Sequence, residues 1–407
     1  MSDAGVIIIG AGHGGGTAAA LLRQYGWQGP IRLIGEEPLA PYQRPPLSKA
    51  WLKGEADEEA LILKPESFYA EAGIELMTGA RVAAIEPAAK TVRLESSEAF
   101  AYDHLIIATG AKPRRLNIPG ADLEGALTLR SAADAETLKA HLGPGKRIAV
   151  VGGGYIGLEV AASARYLGSE ATVIEKEPRI LARVACRTLS DFFTHYHQER
   201  GVVFEVSADV TAFEGAVGKV AGVRLGDGQL IPCDVVLVGV GAPPDDQLAV
   251  RAGLPCDGGI VVDLEARTAD PAIFAIGDVT RRPMPHYGCM FRLESVANAL
   301  EQARHAAGAI TGRPAPAPEV TWNWSDQYDL KYQFAGLPVD IDEVLVRGDP
   351  AQAKFAVFHL KGGVIQAVEA VNAPAEFMGG RLLIGQRKPV DLARLADVSV
   401  SMKEVAA

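Results

Sequence analysis

The sequence predicts an α/β protein made of two doubly wound units followed by a small α+β domain. Three observations predict it: a strand, a glycine-rich turn and an Ala- and Leu-rich helix open the chain; the same order returns after Lys146; and beyond Pro318 the strand rhythm changes with no further glycine turn of that kind. At 407 residues the chain suits two or three domains at about 150 residues each. Its 48% hydrophobic and 22% charged residues place it among folded globular proteins.

The first unit begins with the β-branched run Val6 to Ile9, followed by Gly10-Ala-Gly12-His-Gly14-Gly15 and a helical stretch from Thr17 to Gln24. Ile31 to Ile34 is a second strand and delivers Glu36 at its end. In Gly10-x-Gly12-x-x-Gly15 the first glycine permits the tight turn, the second lets backbone approach a pyrophosphate, and the third lets helix and strand pack closely. The helix start offers free N–H groups to phosphates, Glu36 can accept hydrogen bonds from a ribose diol, and His13 reads as a tolerated side chain within the turn. The second unit repeats this logic: Arg147 to Val151, then Gly152-Gly-Gly154-Tyr155-Ile156-Gly157, a helix through Tyr166, and Ala171 to Ile174 ending at Glu175. The spacing therefore implies two bound dinucleotides. Glu175 would repel a 2′-phosphate and favour NADH over NADPH, with Lys176 and Arg179 close by in opposition.

Leu105 to Thr109 reads as a buried strand broken at Ala108-Thr109-Gly110, and Val235 to Val240 ends in a matching break at Gly241. The breaks bracket the second unit, which predicts one domain inserted into another: residues 1–112 and 242–315 enclosing 113–241. The Pro- and Ala-rich stretch Arg313 to Pro318 reads as a linker to a C-terminal domain, 319–407, with strands at Val344 to Val346, Phe355 to Leu360 and Val364 to Val368 and a helix at Phe377 to Leu383. Within the first domain Thr268 to Asp278 reads as a short strand ending in Gly277-Asp278, an acid placed to bind a polyol.

A net charge of −10 argues against nucleic-acid binding. No signal peptide is read at the start, and no apolar run approaches the roughly 20 residues of a membrane helix, so a cytoplasmic protein is expected. Cys186, Cys233, Cys256 and Cys289 form no close pair, which predicts unconnected thiols and no metal centre.

Beyond the two turns and Gly277-Asp278, the chain carries Arg44-Pro45-Pro46-Leu47-Ser48-Lys49, Gly152 to Ala161, Arg292-Leu-Glu294-Ser295-Val296, Asn298 to Ala303 and Trp324-Ser-Asp-Gln327. With these segments it resembles the FAD-dependent ferredoxin reductases that serve haem-thiolate monooxygenases and aromatic-ring dioxygenases. The resemblance spans nearly the whole chain and implies a glutathione-reductase-like fold. It also implies hydride transfer from NADH to FAD, then single-electron transfer to a two-iron two-sulfur ferredoxin, from a monomer or homodimer. By the same resemblance Arg44, Lys49, Val82, Arg130, Asp278 and Val296 would touch FAD, with Ala108, Gly277 and Ser295 in the same set and Trp324 near the flavin ring. Lys49 and Glu159 would face the nicotinamide as the catalytic pair. Gly14 and Gly16, which make the first helix start unusually glycine-rich, depart from the family pattern.

Two other functions share this double-unit pattern. A thiol-dependent NADH oxidase or disulfide reductase needs a redox cysteine after Glu36, and Pro41 to Lys49 holds none. A redox-sensing flavoprotein like apoptosis-inducing factor would show a long-lived complex without ferredoxin turnover. For docking of an acidic ferredoxin, Arg281, Arg282, Arg292, Arg304 and Lys331 are the candidate basic residues.

Overall fold

The computed structural model describes residues 4–314 and 316–406. The chain folds as two compact units: Met1–Gln43, Glu58–Lys112 and Pro243–Asn323 form one, and Arg44–Asp57, Pro113–Ala242 and Trp324–Ala407 the other. The crossings at 112/113 and 242/243 lie beside the two expected breaks. Two segments group differently from the sequence reading. Arg44–Asp57 leaves the first unit because Arg44 Nη1 donates to the Arg130 carbonyl at 2.5 Å and Ser163 Oγ donates to the Ser48 carbonyl at 2.8 Å. The C-terminal sheet shares a unit with residues 113–242. Ala315, in the expected linker, lies outside the described residues, as do residues 1–3 and 407.

In the first unit a parallel sheet runs in the order Ile74–Met77, Ile31–Ile34, Gly5–Ile9, Ala99–Ile107, with Ile273–Ala275 beside the last strand. Both faces of Gly5–Ile9 are buried, as its unbroken apolar run requires. Period-two alternation sorts its side chains: Ile7 and Ile9 join one core with Leu105 and Ile273, while Val6 and Ile8 join another with Ile106 and Phe274. Helix His13–Gln24 packs on helix Val296–Ile310 through Ala and Gly surfaces. His13 is thus the first helical residue and not part of the turn, since Gly12 is the N-cap. Strand Ala99–Ile107 begins earlier than Leu105 because its first half pairs antiparallel with Thr91–Leu94 and alternates in exposure, leaving no apolar run to read.

In the second unit a parallel sheet runs Val202–Val206, Glu170–Glu175, Arg147–Val151, Val235–Val238, Ala126–Leu127. The C-terminal sheet has the order Trp322–Gln327, Leu330–Gly336, Val364–Val371, Lys354–Lys361, Glu343–Asp349 and carries helix Pro374–Gln386. Among the described residues no helix is long and apolar enough to cross a membrane.

Candidate functional site

Both glycine turns have the geometry that a closely approaching phosphate needs. Gly10 and Gly152 adopt φ of 109° and 110°, and a Cβ on either would stand 2.2 and 2.4 Å from the carbonyls of Ala108 and Gly239. Gly15 and Gly157 press on their own turns, with the Gly10 and Gly152 carbonyls 1.9 and 2.1 Å from a notional Cβ. Gly12 and Gly154 face open space, and as N-caps of helices His13–Gln24 and Tyr155–Tyr166 they carry no side-chain cap. Uncapped N–H groups beside an open approach fit a pyrophosphate at each turn. The surplus glycines of the first helix have a packing reason: a Cβ on Gly16 would meet Pro41 at 2.7 Å, and one on Gly14 would meet Ile276 at 3.3 Å.

Glu36 is exposed at the end of its strand, 3.6 Å from Arg81. Glu175 is more constrained, accepting from the N–H groups of Gly153 at 2.7 Å and Glu177 at 2.9 Å, so it braces the turn it follows. The two opposing cations are otherwise engaged. Arg179 donates to the carbonyls of Ala182 and Ala185, and Lys176 pairs with Asp209. In the first unit Gly277, at φ 79°, donates its N–H to Gln302 Oε1, and Arg292 Nε donates to the Asp278 carbonyl. Ser295 caps helix Val296–Ile310 by accepting from the Asn298 N–H, which engages its hydroxyl locally. Val82 opens strand Val82–Glu86, and Ala108 follows Ile107, donating its N–H to the Ile9 carbonyl.

The second unit assembles a buried polar cluster on helix Tyr155–Tyr166. Glu159, 4% exposed, accepts from Lys49 Nζ at 2.7 Å and Ser48 Oγ at 2.5 Å on Oε2, and from Ser325 Oγ at 2.6 Å on Oε1. A carboxylate withdrawn from water requires such donors, because its desolvation costs several kcal/mol if they are missing. Lys49 also donates to the Pro45 carbonyl, so the Pro45–Ser48 turn aims its ammonium at Glu159. Nothing in the sequence singles out Ser48 and Ser325 as donors, although both lie within the segments that carry the family resemblance. Their serine hydroxyls acquire meaning only beside a buried acid. Tyr155 stacks on Phe334 and donates to the Val184 carbonyl, Ile156 is half exposed at the helix start, and Trp324 precedes Ser325 on its strand.

The expected docking cations are mostly engaged. Arg282 is 2% exposed and ion-paired with Glu301 at 2.8 Å, so it belongs to the core, because strand Thr280–Met284 alternates in burial and turns Arg282 inward. Arg281 pairs with Asp257, Arg292 with Glu294 and Arg304 with Glu319, while Lys331 is exposed. Burial pushes the Cys186 and Cys233 thiols up to about 12, which leaves them protonated at neutral pH.

His197, fully buried on helix Arg187–Gln198, is held neutral by desolvation, which lowers its pKa to about 4. Its unfolded value is about 6.5, so between pH 6.5 and 4 the unfolded chain binds the extra proton and stability falls with pH, by at most about 3 kcal/mol. Urea midpoints at pH 7 and pH 4.5 should therefore drop less in His197→Gln than in the wild type. Equal drops would remove His197 as a source of acid lability.

The family model described as pyridine nucleotide-disulphide oxidoreductase matches residues 4–303, and that described as reductase C-terminal matches residues 322–406. The chain is 52% identical to a Castellaniella defragrans protein described as a probable ferredoxin reductase, CtmF, over 98% of both chains. It is 40% identical to putidaredoxin reductase CamA of Pseudomonas putida over 99% of this chain and 96% of that one. The crystal structure of the covalent putidaredoxin reductase–putidaredoxin complex superposes with a TM-score of 0.96 at 39% identity, covering 100% of this chain and 98% of the other.

Proposed function

We propose that this chain, which belongs to the pyridine nucleotide-disulphide oxidoreductase family and is homologous to the ferredoxin reductases of oxygenase systems, is an NADH-dependent ferredoxin reductase. Its electrons would go to a two-iron two-sulfur ferredoxin that feeds a monooxygenase or a ring-hydroxylating dioxygenase. The observation that carries the reading is the buried Lys49–Glu159 pair beside an open, uncapped glycine turn on the same helix. FAD supplies the chemistry that joins a two-electron donor to a one-electron acceptor.

The first glycine turn and Glu36 would hold the adenosine diphosphate part of FAD, with Val82, Ala108, Gly277, Asp278, Ser295 and Val296 in its site. The family resemblance assigns Arg44, Arg130 and Trp324 to FAD as well. Gly152, Gly154, Tyr155, Ile156, Gly157 and Glu175 would hold NADH. Lys49 offers positive charge where negative charge develops on reduction, and Glu159 keeps that ammonium in place and offers an acceptor to the carboxamide. Neither residue acts as nucleophile. The absence of a cysteine from Pro41 to Lys49 speaks against a thiol-dependent route, and the work is expected in the cytoplasm.

The test is direct. Purified protein should carry one FAD per chain, be reduced by NADH, and reduce cytochrome c only when a two-iron ferredoxin is added. Protein that cannot be loaded with flavin, or reduction of cytochrome c that ignores ferredoxin, would sink the reading. Because Glu175 would meet the ribose and Arg179 is engaged with carbonyls, NADH should outperform NADPH at least about tenfold in kcat/KM, or about 1.4 kcal/mol. Equal efficiencies would mean that Glu175 does not read the 2′-hydroxyl.

A further inference from the structure

A line of hydrogen bonds runs from the C-terminal domain to the Glu159 carboxylate. Strand Trp322–Gln327 turns Ser325 and Gln327, two positions apart, to its buried face. Ser325 Oγ lies 2.6 Å from Glu159 Oε1, Gln327 Nε2 lies 3.0 Å from Ser325 Oγ, and His197 Nε2 lies 2.7 Å from Gln327 Oε1. Tyr328 Oη approaches His197 Nδ1 at 3.4 Å. Ser325, Gln327 and His197 are all at most 1% exposed, so the line is withdrawn from bulk solvent.

Chemistry allows this line one direction. A carboxylate only accepts, so the single Ser325 proton goes to Glu159 and the Ser325 oxygen must itself accept. The Gln327 amide then presents its NH₂ to Ser325 and its carbonyl to His197. Turning the amide over would either set two oxygens against each other or draw the Ser325 proton away from Glu159. Neutral His197 consequently donates from Nε2 and accepts at Nδ1. Each member orients the next, and a carboxylate addressed on Oε1 by Ser325 and on Oε2 by Ser48 and Lys49 cannot rotate without losing a donor.

We propose that Ser325, held by Gln327 and His197, is a positioning residue for the NADH half-reaction, fixing the plane of the Glu159 carboxylate and through it the Lys49 ammonium. The C-terminal domain thereby completes the reductive site in addition to any interface it provides. This inference rests on the roles proposed above for Lys49 and Glu159.

The test is rapid mixing of the flavin-loaded full chain with NADH, reading the limiting rate of flavin reduction separately from the NADH dissociation constant. Ser325→Ala should lower the limiting rate about tenfold while the dissociation constant stays within about twofold, since a misoriented group costs the reaction and not the binding. Ser325→Thr, which keeps the hydroxyl, should restore the rate to within about twofold of wild type. Gln327→Glu has the same shape but only accepts, so it competes for the Ser325 proton and should slow reduction about as much as Ser325→Ala. Flavin content and thermal midpoint are measured on every variant, and Gln327→Glu carries the comparison if Ser325→Ala does not load flavin. Wild-type limiting rates in Ser325→Ala and Gln327→Glu, or a slow rate that Ser325→Thr fails to restore, would overturn the proposal. Wild-type protein that NADH cannot reduce would instead overturn the functional reading beneath it.

Discussion

Glu159→Gln is expected to slow NADH reduction of the flavin about a hundredfold, the scale on which one preorganised electrostatic group acts in a water-excluded site. The substitution keeps shape and removes charge. In its place an amide has one accepting oxygen where the carboxylate had two: its nitrogen either opposes the donor-only Lys49 ammonium or turns to Ser325, whose proton then loses its acceptor. The Lys49 ammonium loses its charge partner and keeps only neutral acceptors, the Pro45 carbonyl at 3.1 Å and the Ser48 hydroxyl at 3.4 Å. Lys49→Met should slow the step similarly, and the double variant should be little slower than either single one, since the pair acts as a unit. NADPH discrimination should survive in both, because neither residue belongs to the second glycine turn or to Glu175. A Glu159→Gln protein that reduces within about twofold of wild type would remove the pair from the mechanism.

The largest expected loss of stability comes from Glu301. In the first unit Arg282 Nη1 lies 2.8 Å from Glu301 Oε2 and 3.1 Å from Asn298 Oδ1, with both charged side chains at most 5% exposed. Glu301 Oε1 further accepts the Glu319 N–H at 3.0 Å. Glu301→Ala strands a buried guanidinium and should cost about 3–5 kcal/mol in urea unfolding, whereas Arg282→Met with Glu301→Leu removes both charges and should recover most of that loss. A Glu301→Ala protein less than about 1 kcal/mol below wild type would mean that water reaches the guanidinium.

Arg282 also illustrates what a sequence hides. In Asp278-Val-Thr-Arg281-Arg282-Pro, two arginines beside a turn read as surface charge, and only the inward alternation of strand Thr280–Met284 against helix Val296–Ile310 makes the second a core residue. His13 likewise reads as turn until the Gly12 N-cap places it in the helix. Arg44–Asp57 reads as part of the first domain by position, yet it packs with the second unit through Arg44 and Ser48.

By itself the sequence determined the two strand-turn-helix units, their glycine geometry, the acids at Glu36 and Glu175, and the absence of a redox cysteine after Glu36. Each is a local signal, because a tight turn, a close approach or a buried strand constrains residues that are neighbours along the chain. Only the tertiary structure decided what surrounds Glu159. Ser48 lies 111 positions away and Ser325 lies 166 positions away, and Gln327 and His197 meet across 130 positions. A serine or glutamine has no periodicity of its own, and its hydrogen bond acquires direction and worth only when folding has withdrawn the acceptor from water.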